Sequence, residues 1–134
     1  ILDTLRRTNE AVLEATGYTM HSMRPPGGYA NESVRRYARR CELAVVLWAQ
    51  SGNVHEKDPE KIAQNVRCQI VNGKELADGD IVLLHDTKPW MVDAVKIMVP
   101  ELLDAGYQLV TVRELLQLSE RGYRYGEVYK RQDG

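Results

Sequence analysis

A histidine and an aspartate follow a short apolar run in the second half of the chain. Residues 81–84 read Ile-Val-Leu-Leu, and His85 and Asp86 come directly after them. An unbroken aliphatic run after a turn predicts a strand buried on both faces, and the residues beyond it have helical spacing. Catalytic groups in α/β folds lie at the carboxyl ends of such strands. His85 would suit a general acid or base there, although a structural histidine is the commoner case. Asp86 is the expected N-cap of the following helix.

A second candidate is a rigid loop built from prolines and glycines. Arg24 is followed by Pro25, Pro26, Gly27 and Gly28, a run that neither a helix nor a strand can continue. The two prolines have no N–H, and a fixed N–H after them could stabilise an oxyanion. Arg24 could hold a carboxylate in a bidentate pair. A tight loop without function and a surface arginine are the alternatives that the residues alone leave open.

Trp48 ends the apolar run at residues 43–48, and His55 lies in the third predicted loop, which follows that run. Trp48 could belong to the core or could form the floor of a sugar-binding groove. His21, His55 and His85 would together allow a zinc site, but none shows the short ligand spacing of known zinc motifs, so this is the weaker alternative. The sequence contains no Gly-rich phosphate loop, no serine nucleophile elbow and no Cys–His signature.

The elements that must position these groups alternate between helix and strand. Alternation predicts a parallel sheet with right-handed crossovers, so the loops after successive strands are expected to meet on one face. Such strands could form an open sheet, or half of a (β/α) barrel whose edges need covering. Residues from 120 onwards show no clear period and are predicted to be a surface tail. The predicted helices are residues 2–16, 31–41, 58–70, 91–105 and one from 111, and the predicted strands are residues 18–23, 43–48, 81–84 and 107–110.

Composition and charge limit the classes of protein to which this chain can belong. The 134 residues, 43% of them apolar and 28% charged, make one domain of ordinary globular composition. A formal charge of −1 gives no electrostatic reason to expect a nucleic acid or an anionic membrane as partner. No apolar run reaches the ~20 residues of a membrane span. Cys41 and Cys68 fit no metal or redox spacing, so two buried thiols are expected, with a disulfide as the alternative in a secreted protein.

Taken in order, these motifs resemble those of a known enzyme family. Residues 24–28, the strand at 43–48, the run at 81–86 and the segment at 106–116 come in the order and spacing of a polysaccharide deacetylase. Over about residues 2–118 the chain is similar to the NodB-homology domain of carbohydrate esterase family 4. The resemblance implies an α/β fold that is the C-terminal part of a distorted (β/α) barrel with parallel strands, incomplete without its N-terminal portion. The domain would cover residues 1–119, and residues 120–134 would be a tail.

The resemblance also implies an activity, the metal-dependent removal of acetyl groups from a polysaccharide such as peptidoglycan, chitin oligosaccharide or xylan. Arg24 matches the arginine that holds the catalytic-base aspartate, and His85 matches the general acid that protonates the leaving group. Gly27 stands where the family usually has a tyrosine whose backbone N–H helps to stabilise the oxyanion, a role that needs only a backbone. Leu84 matches a leucine of the acetyl pocket. The implied catalytic residues are His85 and Arg24, and the implied substrate-binding residues are Pro25, Pro26, Gly27, Trp48, His55 and Leu84.

The first departure from the family pattern concerns the metal and the base. The first two family motifs, which supply the base and the ligands of a divalent metal, zinc, should precede Ile1 and are not in this sequence. No metal ligand is therefore assigned in this chain. The chain, which does not begin with Met, is expected to be a processed or truncated piece. Its expected partners are the polysaccharide and the N-terminal portion of the same domain, present as a separate chain or a cleaved fragment.

The second departure lies in the fourth family motif, an Asp-Trp pair, where this chain has Val54 and His55. The aspartate that orients His85 is then missing, unless Asp58 or Asp93 substitutes. Three functions follow as alternatives. The chain is half of a secreted or cell-envelope deacetylase and inactive by itself, or a degenerate family member that binds glycan without turnover, or a small flavodoxin-like interaction domain.

Overall fold

The structure, a computed structural model, describes residues 1–68, 73–117 and 124–132. The chain forms two compact units, Ile1–Leu47 with Arg121–Lys130, and Trp48–Glu120 with Arg131–Gly134. In chain order the helices are α1 (Leu2–Thr16), α2 (Glu32–Arg40), α3 (Pro59–Arg67), α4 (Pro89–Asp104) and α5 (Val112–Gln117), and the strands are β1 (Ser22–Met23), β2 (Ala44–Val46), β3 (Gln50–Ser51), β4 (Val82–Leu83) and β5 (Val128–Tyr129).

The first unit contains a three-stranded parallel sheet with β2 in the middle. Val45 of β2 is in register with Met23 of β1 on one side and with Val128 of β5 on the other. All three residues of β2 are buried, as expected of a central parallel strand. The unbroken apolar run at residues 43–48 therefore predicted this strand correctly.

Two helices of the first unit begin and end where the sequence predicts. Gly17 ends α1 in the left-handed conformation with φ 70°, which glycine adopts without steric penalty. The Asn31 side chain caps α2 by accepting a hydrogen bond from the N–H of Val34 at 3.0 Å. Both helices contribute to one apolar cluster, in which the buried residues are Ala38, Leu43 and Val45 and the half-buried ones include Leu5, Met20, Met23 and Val128.

The C-terminal segment joins this sheet, so the prediction of a surface tail is wrong for β5. The N–H of Val45 donates to the carbonyl of Glu127 at 2.9 Å, and the N–H of Leu47 donates to that of Tyr129 at 2.8 Å. Arg35 adds an ion pair from Nη2 to Oε2 of Glu127 at 2.9 Å. A strand of two residues is too short to show a period, so it could not be predicted from sequence. The boundary of the family domain at residue 119 stays a prediction.

The second unit pairs β3 with β4 in parallel, with Gln50 opposite Val82 and Ser51 opposite Leu83. Asp58 caps α3 by accepting a hydrogen bond from the N–H of Glu60 at 3.0 Å, as its position before Pro59 predicts. The core of this unit is formed by α3 and α4, whose buried apolar residues are Ile62, Ala63, Val66, Met91, Ala94 and Met98.

Three predicted features of the second unit are wrong. Residues 107–110 are not a strand, since Tyr107 instead closes α4, its N–H donating to Leu102 at 2.9 Å and its hydroxyl to the Leu76 carbonyl at 3.1 Å. Asp86 is not the N-cap of α4, because the helix begins at Pro89 with Lys88 in the cap position. Strand β3 lies in a segment predicted to be a polar loop.

The two cysteines are free thiols, and both are half-buried rather than buried as expected. The predicted continuation of α3 to residue 70 falls on residues 69–72, outside the described residues. Among the helices that the structure describes, none has the length and apolarity needed to span a bilayer.

Candidate functional site

Arg24 is fixed against the carboxyl end of β2. Its Nε donates to the carbonyl oxygen of Val46 at 3.2 Å, and its Nη2 donates to that of Leu47 at 3.3 Å. Partial burial lowers the pKa of the guanidinium, but arginine is not deprotonated in proteins and the charge remains. Two bonds to neighbouring carbonyls hold the planar guanidinium in one orientation, which makes it a preorganised cation at this strand end.

The loop after Arg24 is a tight 3₁₀ turn, Pro26–Gly28. Pro25 is buried, and its carbonyl accepts a hydrogen bond from the N–H of Gly28 at 3.0 Å. Gly27 has φ 64°, a left-handed conformation that side chains disfavour. A β-carbon there would lie only 2.6 Å from Cε2 of Tyr29. Glycine is therefore favoured at position 27 by backbone conformation, whereas the exposed ring of Tyr29 could turn away from a larger residue.

The N–H of Gly27 is available as a donor. Gly27 is exposed, and no backbone carbonyl in the described part of the chain accepts a hydrogen bond from its N–H. The prolines before it fix φ and cannot compete as donors, so the N–H has a fixed direction. An exposed N–H without an acceptor can donate to an oxyanion supplied from outside the chain.

His85 stands directly beyond the carboxyl end of β4 and is half-buried. Its backbone carbonyl accepts a hydrogen bond from the N–H of Lys88 at 3.2 Å, which closes a turn before α4. The Nδ1 atom is buried and has no hydrogen-bond partner among the described residues. A buried ring nitrogen without a partner costs about 1–3 kcal/mol. Neither Asp58 nor Asp93 replaces the missing aspartate, because Asp58 caps α3 and Asp93 pairs with Lys96 at 3.0 Å.

Leu84 packs beside an apolar pocket in the second unit. It contacts the buried cluster around Ile62 and Met91 and a second cluster around Val66 and Met98. The pocket has a volume of about 450 Å³ and is lined by Leu84, Asp86, Met91, Val92 and Val95. A methyl group could bind there, since four of these five side chains are apolar.

The loop after β3 is stabilised by Asn53. This residue has φ 59°, and its side-chain oxygen accepts a hydrogen bond from the N–H of His55 at 3.1 Å. Its carbonyl accepts another from the N–H of Glu56 at 3.1 Å, so the loop has a defined shape. His55 is exposed at this turn and Trp48 is half-buried.

Sequence reasoning missed a group of residues around Trp90. Nζ of Lys57 lies 5.8 Å from the centroid of the Trp90 ring, and Nζ of Lys88 lies 5.9 Å from the same centroid. Both distances are within the range of cation–π interactions. Lys57 is far from Trp90 in sequence, and the contact depends on tertiary structure, so no sequence signal beyond the isolated tryptophan could have revealed it.

The predicted site residues fall into two groups, one in each unit. The prediction that their loops share one face stays a prediction, because each unit is described by itself. The first unit contains Arg24, Pro25, Pro26 and Gly27, and the second contains Trp48, His55, Leu84 and His85.

No metal centre can be built from the residues that the structure describes. They contain no group of three or more histidine, cysteine, aspartate or glutamate side chains that could hold an ion. The zinc alternative from His21, His55 and His85 is therefore wrong. The resemblance assigns the ligands of its divalent metal to the first two family motifs, which are not in this sequence.

Comparison with known proteins finds peptidoglycan deacetylases among the relatives of this chain. No family model matches the chain. The peptidoglycan-N-acetylglucosamine deacetylase of Bacillus cereus is 40% identical over 99 residues, which are 70% of this chain and 44% of that protein. The peptidoglycan-N-acetylmuramic acid deacetylase PdaC of Bacillus subtilis is 29% identical over 122 residues, 90% of this chain and 24% of that protein. The chain thus spans less than half the length of these curated relatives.

Solved structures agree with the sequence relatives. T48 deacetylase with substrate matches with a TM-score of 0.76 and 28% identity, over 94% of this chain and 58% of that one. A family 4 acetyl xylan esterase from Clostridium thermocellum, in complex with a cobalt ion, matches with a TM-score of 0.76 and 25% identity, over 97% of this chain and 64% of that one.

These matches confirm the predicted fold class, the C-terminal part of a distorted (β/α) barrel with parallel strands, and the open flavodoxin-like sheet is wrong. The resemblance found in the motifs is confirmed as well. In sequence and in fold, the chain matches a portion of a NodB-homology domain, that of the polysaccharide deacetylases of carbohydrate esterase family 4.

Proposed function

We propose that this chain supplies the general-acid and oxyanion-binding half of a polysaccharide deacetylase site. The observation that carries the proposal is His85, a half-buried histidine just beyond the carboxyl end of β4 and next in sequence to Leu84, which lines an apolar pocket. The similarity to peptidoglycan deacetylases and to an acetyl xylan esterase supports an acetylated polysaccharide as substrate. Peptidoglycan is the first candidate, with chitin oligosaccharide and xylan as alternatives.

The proposed reaction is hydrolysis of an acetyl group. A water molecule adds to the acetyl carbonyl and gives its proton to a carboxylate base that lies outside this chain. The N–H of Gly27 donates to the oxygen that becomes negative. As the bond from the acetyl carbon to the sugar nitrogen or oxygen breaks, His85 gives a proton to that leaving atom. The products are acetate and a free amine or hydroxyl group.

The remaining residues position the substrate. Arg24, already fixed by two carbonyls, would hold the base carboxylate in a bidentate pair. Leu84 would hold the acetyl methyl group in its apolar pocket, while Pro25 and Pro26 keep the oxyanion loop rigid. Trp48 and the exposed His55 would contact the sugar rings.

The rest of the site would come from the N-terminal portion of the domain. The described residues do not fit a metal ion, so no step is assigned to one in this chain. The cobalt complex of the related esterase supports a divalent metal in the complete domain, zinc in our proposal, held by residues N-terminal to Ile1. The names of the peptidoglycan deacetylases support a place in the cell envelope or outside the cell.

Acetate release in the presence of added zinc or cobalt tests this proposal. Acetylated chitooligosaccharide and peptidoglycan are the substrates, and the chain alone is compared with the chain joined to the N-terminal portion of its domain. The chain alone should release no acetate, and the complete domain should release it. Acetate release by the 134-residue chain alone would contradict the division of the site.

A second candidate function is glycan binding without turnover. It is favoured by the unpartnered Nδ1 of His85 and by Val54, which stands where the family has the orienting aspartate. In this case the complete domain binds glycan but is inactive, and Val54→Asp should raise acetate release by roughly 10- to 100-fold, the usual effect of an orienting partner. This function would be excluded if the parent domain already releases acetate and the rate of release does not rise in Val54→Asp.

A further inference from the structure

Two lysine ammonium groups lie close to one aromatic ring in the second unit. Lys57 precedes α3, Lys88 precedes α4, and both approach the ring of Trp90 to within 6 Å of its centroid. Two like charges held near one ring repel each other, so the arrangement raises the positive potential at this point of the surface.

The acidic side chains next to Lys57 are engaged elsewhere, and Asp86, two residues before Lys88, is exposed and forms no salt bridge with it among the described residues. Glu56 turns back to the backbone and accepts hydrogen bonds from the N–H of Lys57 at 2.8 Å and of Asp58 at 3.0 Å. Asp58 accepts from the N–H of Glu60 at 3.0 Å. Within the described part of the chain, neither Lys57 nor Lys88 forms a salt bridge. Both ammonium groups are therefore available to an anion from outside.

The lysines are close in the chain to the proposed site. The N–H of Lys88 donates to the carbonyl of His85, so Lys88 belongs to the same turn as the proposed general acid. Lys57 follows two residues after His55, in the loop fixed by Asn53. Trp90 is half-buried with its Nε1 atom fully enclosed, and it packs against the buried cluster of Ile62, Met91 and Ala94, which holds the ring in place near both lysines.

We infer that Lys57 and Lys88, held on Trp90, form a subsite for a carboxylate carried by the polysaccharide. The inference rests on the proposed function and narrows its substrate class to a glycan with acidic substituents. N-acetylmuramic acid has this chemistry wherever its lactyl carboxylate carries no stem peptide, whereas chitin and xylan backbones are neutral. The ammonium groups would bind the carboxylate by charge-assisted hydrogen bonds, and Trp90 would provide an apolar surface for the sugar ring.

A matched pair of ligands tests the subsite. Binding of the disaccharide of N-acetylglucosamine and N-acetylmuramic acid is measured by titration calorimetry and compared with binding of its methyl ester, which differs only in lacking the charge. The free acid should bind the protein roughly fivefold more tightly than the ester, the effect expected of exposed ion pairs. This preference should fall as salt is added.

Variants that remove charge test which residues cause the preference for the free acid over the ester. In the double variant Lys57→Gln and Lys88→Gln, acid and ester should bind equally, while the affinity for the ester is unchanged. The control removes the same charge at Lys96 and Lys130, both exposed, and should keep the preference. Equal binding of acid and ester by the parent would overturn the subsite and leave the proposed function intact. No binding of either sugar by the complete domain would overturn both.

Discussion

Gly52 at the end of β3 and Leu84 at the end of β4 are in direct contact. A β-carbon on Gly52 would lie 2.9 Å from Cδ2 of Leu84 and 2.8 Å from Cγ2 of Ile62. The N–H of Gly52 also donates to the carbonyl of Leu83 at 3.2 Å. The missing side chain at position 52 therefore lets one strand end close on the leucine that lines the proposed acetyl pocket.

Replacing Gly52 by alanine should strain this contact. Gly52 is buried and its neighbours are core side chains, so we expect Gly52→Ala to lower the free energy of unfolding by about 1–3 kcal/mol, the usual cost of overpacking. Denaturant unfolding measures the loss. The double variant with Leu84→Ala is the control, because the smaller side chain removes one of the two close contacts of the new methyl group and should recover part of the loss. Additive losses in the double variant would show that Leu84 is not the residue that Gly52 accommodates.

Replacing Arg24 by lysine should destabilise the end of β2. A lysine cannot donate to the carbonyls of Val46 and Leu47 in the same fork geometry, so we expect Arg24→Lys to lower the free energy of unfolding by about 1–2 kcal/mol. Arg40→Lys, an exposed position near the end of α2, is the matched control and should change stability by less than about 0.5 kcal/mol. Equal effects of the two changes on the free energy of unfolding would mean that the hydrogen bonds of Arg24 contribute nothing to stability.

The start of α5 should respond to pH through Glu114. Its carboxylate accepts hydrogen bonds from the Thr111 hydroxyl at 2.7 Å and from the Thr111 N–H at 2.8 Å, and these two bonds lower the pKa of the Glu114 carboxyl. The stabilisation is complete above the pKa of the unfolded chain and is lost as pH falls through the lower folded value. Thermal melts should therefore show Glu114→Gln less stable than the parent near neutral pH and equal to it in acid. A stability difference between Glu114→Gln and the parent that does not change with pH would contradict this prediction. Glu10→Gln, at an exposed position on α1, is the control.

The parts of the fold that could be predicted from sequence are those decided by local chemistry. Gly17, Asn31 and Asp58 mark helix boundaries because a left-handed glycine and a capping side chain act within one turn of the chain. Unbroken apolar runs predicted β2 and β4, since buried parallel strands need no alternation.

The features that the sequence did not reveal depend on distant partners. β5 has only two residues and is a strand because β2 offers it hydrogen bonds. Residues 107–110 have the composition of a strand, but Tyr107 is used to close α4. In the site, the position of His85 followed from its strand, whereas the placing of Lys57 over Trp90 required the loop after β3 and the start of α4 to meet.

The most direct test of the account is the role of His85 as general acid. Acetate release from peptidoglycan is measured with the complete domain, in parallel for the parent, for His85→Ala and for His21→Ala, a control histidine near Tyr18 outside the proposed site. We predict that His85→Ala lowers kcat by about 10²- to 10⁴-fold, the usual contribution of a general acid, and that His21→Ala leaves kcat within about twofold of the parent. Equal rates of acetate release for the parent and His85→Ala would contradict the account.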